Sequence, residues 1–268
     1  MDTEKKIKMI VFDWAGTTVD YGSMVPAAVF KKVFEEAGIN LTRDEINGPM
    51  GMEKKAHIRS LLSLKHVSEK WQELYQHEWT EEDVENLYVK FEDTLEKNVG
   101  DYSAPLENVP ETVGKLRKMN LIIASTTGYT SQIMKKVTGP AEEQGYKPDC
   151  VMTPDVAGAG RPTPFMLYEC MKKFGVYPPK VVVKVGDTVT DIKEGKNAGA
   201  WSIGLLTGSN LMGITKEEAD TMNPKELAKR KEETRRKYME AGADLVLDNI
   251  SQLPDAVELL NRKMRGEI

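Results

Sequence analysis

The sequence predicts an α/β protein: a doubly wound parallel sheet with an inserted all-helical domain. Two observations lead to this fold class. Short apolar segments rich in β-branched residues alternate with helical patterns along most of the chain. One long stretch, between the first and second of these segments, contains helical patterns only. The apolar segments cover residues 7–12, 121–125, 150–153, 181–185, 201–206 and 244–247.

The apolar segments have the pattern of strands that are buried on both faces. They read as continuous hydrophobic runs, which is typical of parallel strands covered by helices on both sides of a sheet. Glycines follow several of the helical patterns, at a position where a left-handed residue commonly ends a helix. These glycines are Gly145, Gly175, Gly199 and Gly242. The helical patterns cover residues 109–119, 130–145, 164–174, 191–198 and 253–264.

The long stretch after the first strand predicts a separate helical domain. Two of its helices begin with a capping pattern, at Thr42 with Glu45 and at Thr80 with Asp83. The helices are expected to begin near Pro26, Arg43, Glu53, Ser68 and Glu81. Five helices are too many for one crossover between strands. We therefore expect a helical domain of residues 22–100 and an α/β domain of residues 1–21 and 101–268.

Composition excludes several classes of protein. The chain has 268 residues, 40% of them hydrophobic, and a net charge of −5. Its Lys and Arg residues are dispersed, so no nucleic-acid surface is expected, and the mixed tract 225–237 has the pattern of a solvated helix face. Two cysteines provide no disulfide framework, and Cys150 is expected to be a buried free thiol. The sequence has no signal peptide or membrane segment, which predicts a cytoplasmic protein.

Polar residues that follow the predicted strands identify the candidate site. They are Asp13 after the first strand, Thr126-Thr127-Gly128 after the second, Arg161 after the third, and Asp187 with Asp191 after the fourth. Ligands of open α/β sheets bind beyond the carboxyl ends of the strands, so these residues are expected to converge. A single Asp after a strand is most often a helix cap, but several polar groups at successive strand ends favour a site.

Each residue type suits phosphoryl chemistry. The oxygens of Asp13 and Asp187 are ligands that Mg²⁺ prefers, and a carboxylate can attack phosphorus to form a covalent intermediate. Thr126 or Thr127, with the amide of Gly128, can hold a phosphoryl oxygen. Arg161 supplies a planar donor fork for phosphate and for the charge of the transition state.

These motifs resemble those of the haloacid dehalogenase-like hydrolase superfamily. Residues 13–20 (DWAGTTVD) are similar to its first motif, residues 125–128 (STTG) to its second and residues 185–191 to its fourth. Arg161 would be the cation of its third motif. The resemblance implies a Rossmann-like core with a mobile helical cap and an aspartyl-phosphate on Asp13.

The resemblance also implies the ligands of a Mg²⁺ cofactor. The ion would be held by Asp13, the backbone carbonyl of Ala15 and Asp187, with Asp191 behind them. Ala15 is a departure from the superfamily pattern, because ordinary phosphatases place there a second Asp that protonates the leaving oxygen. The departure indicates either an inactive member or a reaction whose leaving group is not an alkoxide.

The helical insertion indicates which reaction this is. Residues 48–57 (GPMGMEKKAH) resemble the cap motif of the phosphonoacetaldehyde hydrolase family, in which a lysine forms a Schiff base with the aldehyde of the substrate. That lysine would be Lys54, with Met50 at the substrate, although spacing alone does not choose between Lys54 and Lys55. His57 lies on the same helical face as Lys54 and is a candidate proton relay.

The resulting hypothesis is hydrolysis of the carbon–phosphorus bond of phosphonoacetaldehyde, in the degradation of 2-aminoethylphosphonate. A Schiff base turns the carbanion leaving group into an enamine, so the acid missing at Ala15 is not needed. Alternatives are a phosphatase or phosphomutase of the same superfamily, and a phosphoacceptor module without enzymatic activity. A small phosphonate is the expected partner, and the resemblance implies a homodimer through the cap. Glu53 opposes the hypothesis, because a carboxylate near Lys54 would raise the pKa of its amine.

Overall fold

A six-stranded parallel sheet forms the centre of the computed structural model, which describes residues 5–268. The strand order is β3-β2-β1-β4-β5-β6, so the chain winds outward from β1 in one direction and from β4 in the other. The predicted fold class is confirmed. The strands are β1 (Met9–Phe12), β2 (Ile122–Thr126), β3 (Cys150–Met152), β4 (Val182–Gly186), β5 (Trp201–Leu205) and β6 (Leu245–Leu247).

Both faces of the sheet are covered, as the apolar runs predict. Along β1, Met9 and Val11 belong to one hydrophobic cluster, whereas Ile10 and Phe12 belong to the other. Successive strand side chains point to opposite faces, so the two clusters lie on the two sides of the sheet. All residues of β1 and β4 are buried.

Five helices follow β1 before residue 100, as predicted for the insertion, and a sixth helix then leads to β2. Thr42 and Thr80 each close a capping box with the predicted carboxylate. Two helices begin earlier than expected. The first begins at Met24 rather than near Pro26, which lies within the first turn, where a missing N–H costs nothing. The fourth begins at Lys65 rather than near Ser68, after Leu64 and without a side-chain cap. The helices are α1 (Met24–Glu36), α2 (Arg43–Asn47), α3 (Lys54–Leu62), α4 (Lys65–Tyr75) and α5 (Glu81–Asn98).

The remaining helices cover the sheet. The four predicted glycine stops are all left-handed. One helix begins two residues before its predicted start because Thr188 caps it through Asp191. Two short helices, α8 and α11, were not predicted. The helices are α6 (Val109–Lys118), α7 (Ser131–Glu143), α8 (Pro154–Ala157), α9 (Phe165–Phe174), α10 (Val189–Ala198), α11 (Lys216–Thr221), α12 (Pro224–Glu240) and α13 (Leu253–Arg265).

Other predictions have mixed outcomes. Cys150 is a buried free thiol as expected, and its Sγ lies 3.7 Å from that of Cys170, which is also free and buried. The charged tract 225–237 is helical and mostly exposed, but Thr234 is buried beneath it and Tyr238 follows it into the core. None of the described helices combines the length and apolarity needed to span a bilayer.

The chain leaves the sheet for the helical insertion through a short buried loop after Asp13. Asp20 has a left-handed backbone (φ 50°), and its carboxylate accepts hydrogen bonds from the amides of Met24 and Val25 at 3.1 and 3.2 Å. This carboxylate therefore supports the first turn of α1, where backbone N–H groups have no partner within the helix. The boundaries of the cap at residues 22 and 100 stay a prediction.

Candidate active site

The structure brings the predicted carboxylates together at the carboxyl end of the sheet. Asp13 follows β1 and Asp187 follows β4, and these two strands are paired neighbours. Asp191 lies in the first turn of α10. One carboxylate oxygen of each of these three residues lies within 4.8 Å of the other two, and all three residues are buried. The sequence argument from strand ends therefore holds for this cluster.

Asp187 is fixed by Thr17 of the first motif and by two residues that the sequence did not identify. One carboxylate oxygen accepts the amide of Asn210 at 2.9 Å, and the other accepts the hydroxyl of Thr17 at 3.0 Å. Tyr238 of α12 donates its hydroxyl to the carbonyl of Asp187 at 2.5 Å. Gly16 allows this close packing, since a Cβ there would lie 2.1 Å from Asp187 Oδ2 and its φ is +84°.

Arg161 lies beneath Asp13 and is 3% exposed. Its Nη2 pairs with Asp13 Oδ1 at 2.6 Å and its Nη1 with Asp191 Oδ1 at 2.9 Å. Its Nε donates to Glu194 Oε2 at 3.0 Å. Burial disfavours the charged guanidinium, but these carboxylates raise the pKa of Arg161 above its usual value. The predicted cation is therefore present in the site and permanently charged.

Sequence reasoning missed a second buried cation and its partner. Lys184 lies on β4 and is fully buried, with its Nζ 2.9 Å from Asp191 Oδ1 and 3.1 Å from Glu194 Oε2. Glu194 of α10 is fully buried as well. A signal was present: a lysine within the apolar run VVVKVG is costly to bury unless a charge pairs with it.

Thr126 belongs to this buried network and does not line the reaction cavity. Its hydroxyl accepts hydrogen bonds from Arg161 and Lys184, each at 2.9 Å, and donates to Glu194 at 3.0 Å. A hydroxyl has one proton and two lone pairs, so its capacity is used. Thr127 and Gly128 do line the cavity. The sequence left the choice between Thr126 and Thr127 open, and the geometry favours Thr127.

The buried charges fit a divalent cation. In this buried cluster four carboxylates face two cations, so the site offers more carboxylates than cations among hard oxygen donors, as suits Mg²⁺. Burial, with repulsion from neighbouring carboxylates, raises the pKa of Asp13 and holds that of Asp187 well above its usual range. A bound cation would favour the charged forms. The charged residues are Asp13, Asp187, Asp191, Glu194, Arg161 and Lys184.

Lys54 approaches the same site from the cap. It is the first residue of α3 and is 5% exposed. Its Nζ lies 5.6, 5.9 and 5.3 Å from the ring centroids of Phe30, Phe91 and Tyr129. Burial among these rings lowers the pKa of Lys54 to about 8, although the charge of Asp13 opposes the change. A neutral amine is therefore accessible near neutral pH.

The neighbours of Lys54 have other contacts. Glu53 caps α3, since its carboxylate accepts the amides of Lys55 and Ala56 at 3.2 and 3.1 Å. Its effect on the pKa of Lys54 is opposite to that of burial and smaller. Lys55 turns outward and pairs with Glu85 at 2.6 Å. The structure thus separates the two lysines that spacing alone could not.

His57 lies behind Lys54 and does not line the cavity. It is fully buried, and its ring stacks on that of Phe30 with centroids 3.9 Å apart. Neither ring nitrogen has hydrogen-bond geometry with a side chain or backbone group among residues 5–268. Burial and the charge of Lys54 hold the pKa of His57 well below its usual value. The imidazole is therefore neutral at pH 7.

Residues of the helical insertion and of the core line the same site. Asp13, Ala15, Arg161, Lys54 and Met50 line one shared cavity of about 20 Å³. This volume suits about one water molecule, since a single water needs roughly 10–15 Å³. A larger groove of about 410 Å³ adjoins it and is also lined by Lys54 and Gly128.

Two glycines lie where the helical insertion and the core are in close contact. A Cβ at Gly51 of the cap would lie 2.4 Å from Oγ1 of Thr188, and one at Gly128 would lie 2.9 Å from the carbonyl of Met52. Thr190 also donates its hydroxyl to the carbonyl of Met50 at 3.3 Å. The loop that carries Met50 and leads into α3 at Lys54 is thereby held directly over the strand ends.

Comparisons with known proteins agree with this architecture. The sequence model of the haloacid dehalogenase-like hydrolase family matches residues 7–199, and a HAD-hydrolase-like model matches residues 158–253. The solved structure of a phosphonoacetaldehyde hydrolase-like protein from Oleispira antarctica superposes with a TM-score of 0.94 at 30% identity. That superposition covers 97% of this chain and 95% of the other.

Curated relatives cover nearly the whole chain. A phosphonoacetaldehyde hydrolase of Bacillus cereus (strain AH187) is 42% identical over 96% of this chain and 98% of its own length. One from Parabacteroides distasonis is 44% identical over 97% of this chain and 98% of its own length. The chain is thus a haloacid dehalogenase-like hydrolase and belongs to the phosphonoacetaldehyde hydrolase family.

Proposed function

We propose that this enzyme hydrolyses phosphonoacetaldehyde to acetaldehyde and phosphate, with Lys54 as the Schiff-base amine and Asp13 as the nucleophile. The observation that carries the proposal is one small cavity lined by both the buried Lys54 and Asp13. The names of the curated relatives support the same substrate.

The reaction begins at Lys54. With a pKa of about 8, roughly a tenth of the amine is neutral at pH 7, whereas about 0.04% of an ordinary lysine is neutral there. The neutral amine attacks the aldehyde carbon, water leaves and an iminium forms. We assign the proton transfers at the Lys54 amine to the neutral imidazole of His57.

Cleavage of the carbon–phosphorus bond follows. A carboxylate oxygen of Asp13 attacks phosphorus, and the electron pair of the breaking bond moves to form the enamine double bond and neutralise the iminium nitrogen. The enamine takes a proton on its terminal carbon, water hydrolyses the resulting iminium, and acetaldehyde leaves Lys54. Water then hydrolyses the aspartyl-phosphate. No step protonates an alkoxide, which is consistent with Ala15 in place of an acid.

The phosphoryl group would be held at the Asp13 end of the cavity. Thr127, Gly128 and Arg161 line the cavity, and a hydroxyl, a backbone amide and a guanidinium are suitable donors for the phosphoryl oxygens. Asp13, Asp187 and the carbonyl of Ala15 would hold Mg²⁺, with Asp191 behind them. The ion, when bound, offsets the repulsion between the attacking carboxylate and the phosphoryl oxygens.

Substrate binding requires motion of the cap, which we propose to be residues 22–100. The cavity of about 20 Å³ cannot hold phosphonoacetaldehyde beside the side chains of Asp13 and Lys54. Opening admits substrate, and closure brings Lys54 to the aldehyde and excludes water from the reactive intermediates.

We also propose a cytoplasmic homodimer that acts in 2-aminoethylphosphonate degradation. Two mainly apolar grooves of about 340 and 350 Å³ flank the exposed Ala28 of α1. A second copy of the cap would cover them. Light scattering of wild type and of Ala28→Glu tests this, with a shift to monomer expected for the variant. A wild-type monomer would contradict it.

Borohydride trapping tests the mechanism. Substrate with borohydride should add a two-carbon or phosphonoethyl mass at Lys54, and Lys54→Arg should abolish trapping and acetaldehyde release. Lys55→Arg is the matched control, because Lys55 faces Glu85 and should be dispensable. If Lys54→Arg still releases acetaldehyde, the imine mechanism is wrong. Efficient hydrolysis of simple phosphate esters by wild type would favour the alternative phosphatase.

A further inference from the structure

Lys184 and Glu194 form a buried ion pair that the reaction above does not use. Both are fully buried, Lys184 on the central strand β4 and Glu194 on α10. Neither residue lines the reaction cavity. Burying two charges costs several kcal/mol for each ion unless their surroundings compensate it, so the pair needs an explanation.

The pair shares all of its contacts with Arg161. Lys184 Nζ and Arg161 both contact the same three atoms, which are Thr126 Oγ1, Asp191 Oδ1 and Glu194 Oε2. The Nη2 of Arg161 donates to Thr126 and also forms an ion pair with Asp13 Oδ1 at 2.6 Å. The guanidinium is therefore held by Asp191 and Glu194 through Nη1 and Nε, while its Nη2 contacts the nucleophile.

The balance of charge explains why a second cation is present. With Lys184 removed, Asp191 and Glu194 would together attract the single guanidinium and draw it away from Asp13. With Glu194 removed, Nε of Arg161 would lose its only hydrogen-bond acceptor among the described residues. Both residues therefore keep the guanidinium directed at Asp13. Lys184 does so by neutralising the neighbouring carboxylates, and Glu194 does so by accepting the hydrogen bond of Nε.

We propose that Lys184 and Glu194 are a positioning pair that directs Arg161 toward the phosphoryl group at Asp13 and sets the charge available to Mg²⁺. The inference extends the proposed function, because it assigns the pair to the same reaction. Its central readouts are equilibrium affinities for Mg²⁺ and for inorganic phosphate, which can be measured whatever the organic substrate is.

The test uses Lys184→Met, Glu194→Gln and the double variant. Gln keeps the length of Glu, Met keeps the unbranched chain of Lys with one heavy atom fewer, and the double variant restores the net charge of the wild-type site. Calorimetry should show Mg²⁺ binding at least about tenfold tighter in Lys184→Met and at least about tenfold weaker in Glu194→Gln, because a unit charge at a buried site is worth more than about 1.4 kcal/mol. The double variant should return to within about threefold of wild type.

Phosphate binding and turnover distinguish positioning from charge balance. The double variant should regain Mg²⁺ affinity and melting temperature, since replacing a whole buried pair is often neutral for stability. Its affinity for inorganic phosphate and its kcat should still be at least about tenfold below wild type, as expected for a lost transition-state contact. Lys184→Arg, which keeps the charge, should recover part of kcat.

Two outcomes would overturn the proposal. One is recovery of kcat and of phosphate affinity in the double variant. The other is that the Mg²⁺ affinities of the two single variants do not shift in opposite directions. If a single variant fails to fold, the double variant and Lys184→Arg still decide the question. Lys196→Met is the matched control. Lys196 forms an ion pair with Asp244 at 2.9 Å and does not belong to the buried cluster, so its loss should change neither affinity. Wild type that does not cleave phosphonoacetaldehyde would refute the proposed function but leave both affinity measurements decisive.

Discussion

Glu53 and Lys54 are adjacent in the chain, yet their charged groups serve different purposes. Glu53 uses its carboxylate on the amides of Lys55 and Ala56 at the start of α3. The Lys54 side chain is buried, with its amine near the rings of Phe30 and Tyr129. A helix N-terminus thus holds the carboxylate away from the amine, and burial rather than the neighbouring charge determines the pKa of Lys54.

This arrangement predicts a rate that rises with pH up to the pKa of Lys54. Imine formation requires the neutral amine, so the rate of borohydride trapping should rise about tenfold for each pH unit below the pKa of about 8 and level off above it. Single-turnover trapping between about pH 6 and 9.5 measures this rise. A midpoint near 10 would show that Lys54 has an ordinary pKa and would contradict the buried environment described here.

The same burial predicts that Lys54 costs stability. Its folded-state pKa of about 8 lies below the ordinary lysine value of 10.5, so the charged amine destabilises the fold by roughly 3 kcal/mol at pH 7. Stability should increase as the pH rises from about 8 toward 10.5, because the unfolded chain then binds more protons. Lys54→Met should therefore melt at a higher temperature than wild type at pH 7, with a difference that narrows at high pH.

Lys55→Met is the control for that measurement. Lys55 is partly exposed and pairs with Glu85, so its replacement should not raise the melting temperature. A Lys54→Met variant that is no more stable than wild type at pH 7 would contradict the prediction.

Ala15→Asp tests the missing acid. Ala15 lines the cavity that holds Lys54, so a new carboxylate there should raise the pKa of the amine and shift the trapping profile to higher pH. Cleavage at pH 7 should fall by about tenfold for each pH unit by which the midpoint of that profile rises. Ala15→Asn has the same size without the charge and should leave the midpoint unchanged. Equal profiles for the two variants would exclude the electrostatic explanation.

Gly51→Ala tests cap closure. Both Gly51 (φ +87°) and Gly158 (φ +83°) have left-handed backbones, but only at Gly51 would a Cβ meet another atom, at 2.4 Å from Thr188 Oγ1. Both alanine variants carry a backbone penalty of about 1–2 kcal/mol, so a comparable decrease in melting temperature is expected. We expect kcat/KM to fall by at least about tenfold in Gly51→Ala and by no more than about twofold in Gly158→Ala. Similar losses in both variants would contradict a closed cap.

The strand-end rule explains how much of the site was predictable. It identified Asp13, Asp187 and Arg161 because parallel strands bring their carboxyl ends to one edge. It could not assign a direction to the Thr126 hydroxyl, which turns inward to Lys184 and Glu194 rather than into the cavity. Sequence gives the order of residues along a strand, whereas the hydrogen-bond partners of a side chain depend on what packs beside it.

The sequence by itself determined the fold class, the inserted helices and the residues at the strand ends, since hydrophobic periodicity and capping patterns are local properties of the chain. Only the tertiary structure decided that Lys54 rather than Lys55 is buried, and that Glu53 is a helix cap. It also revealed the support of Asp187 by Tyr238. These features depend on burial and on contacts between segments far apart in the chain, which set pKa values and side-chain directions that no local pattern encodes.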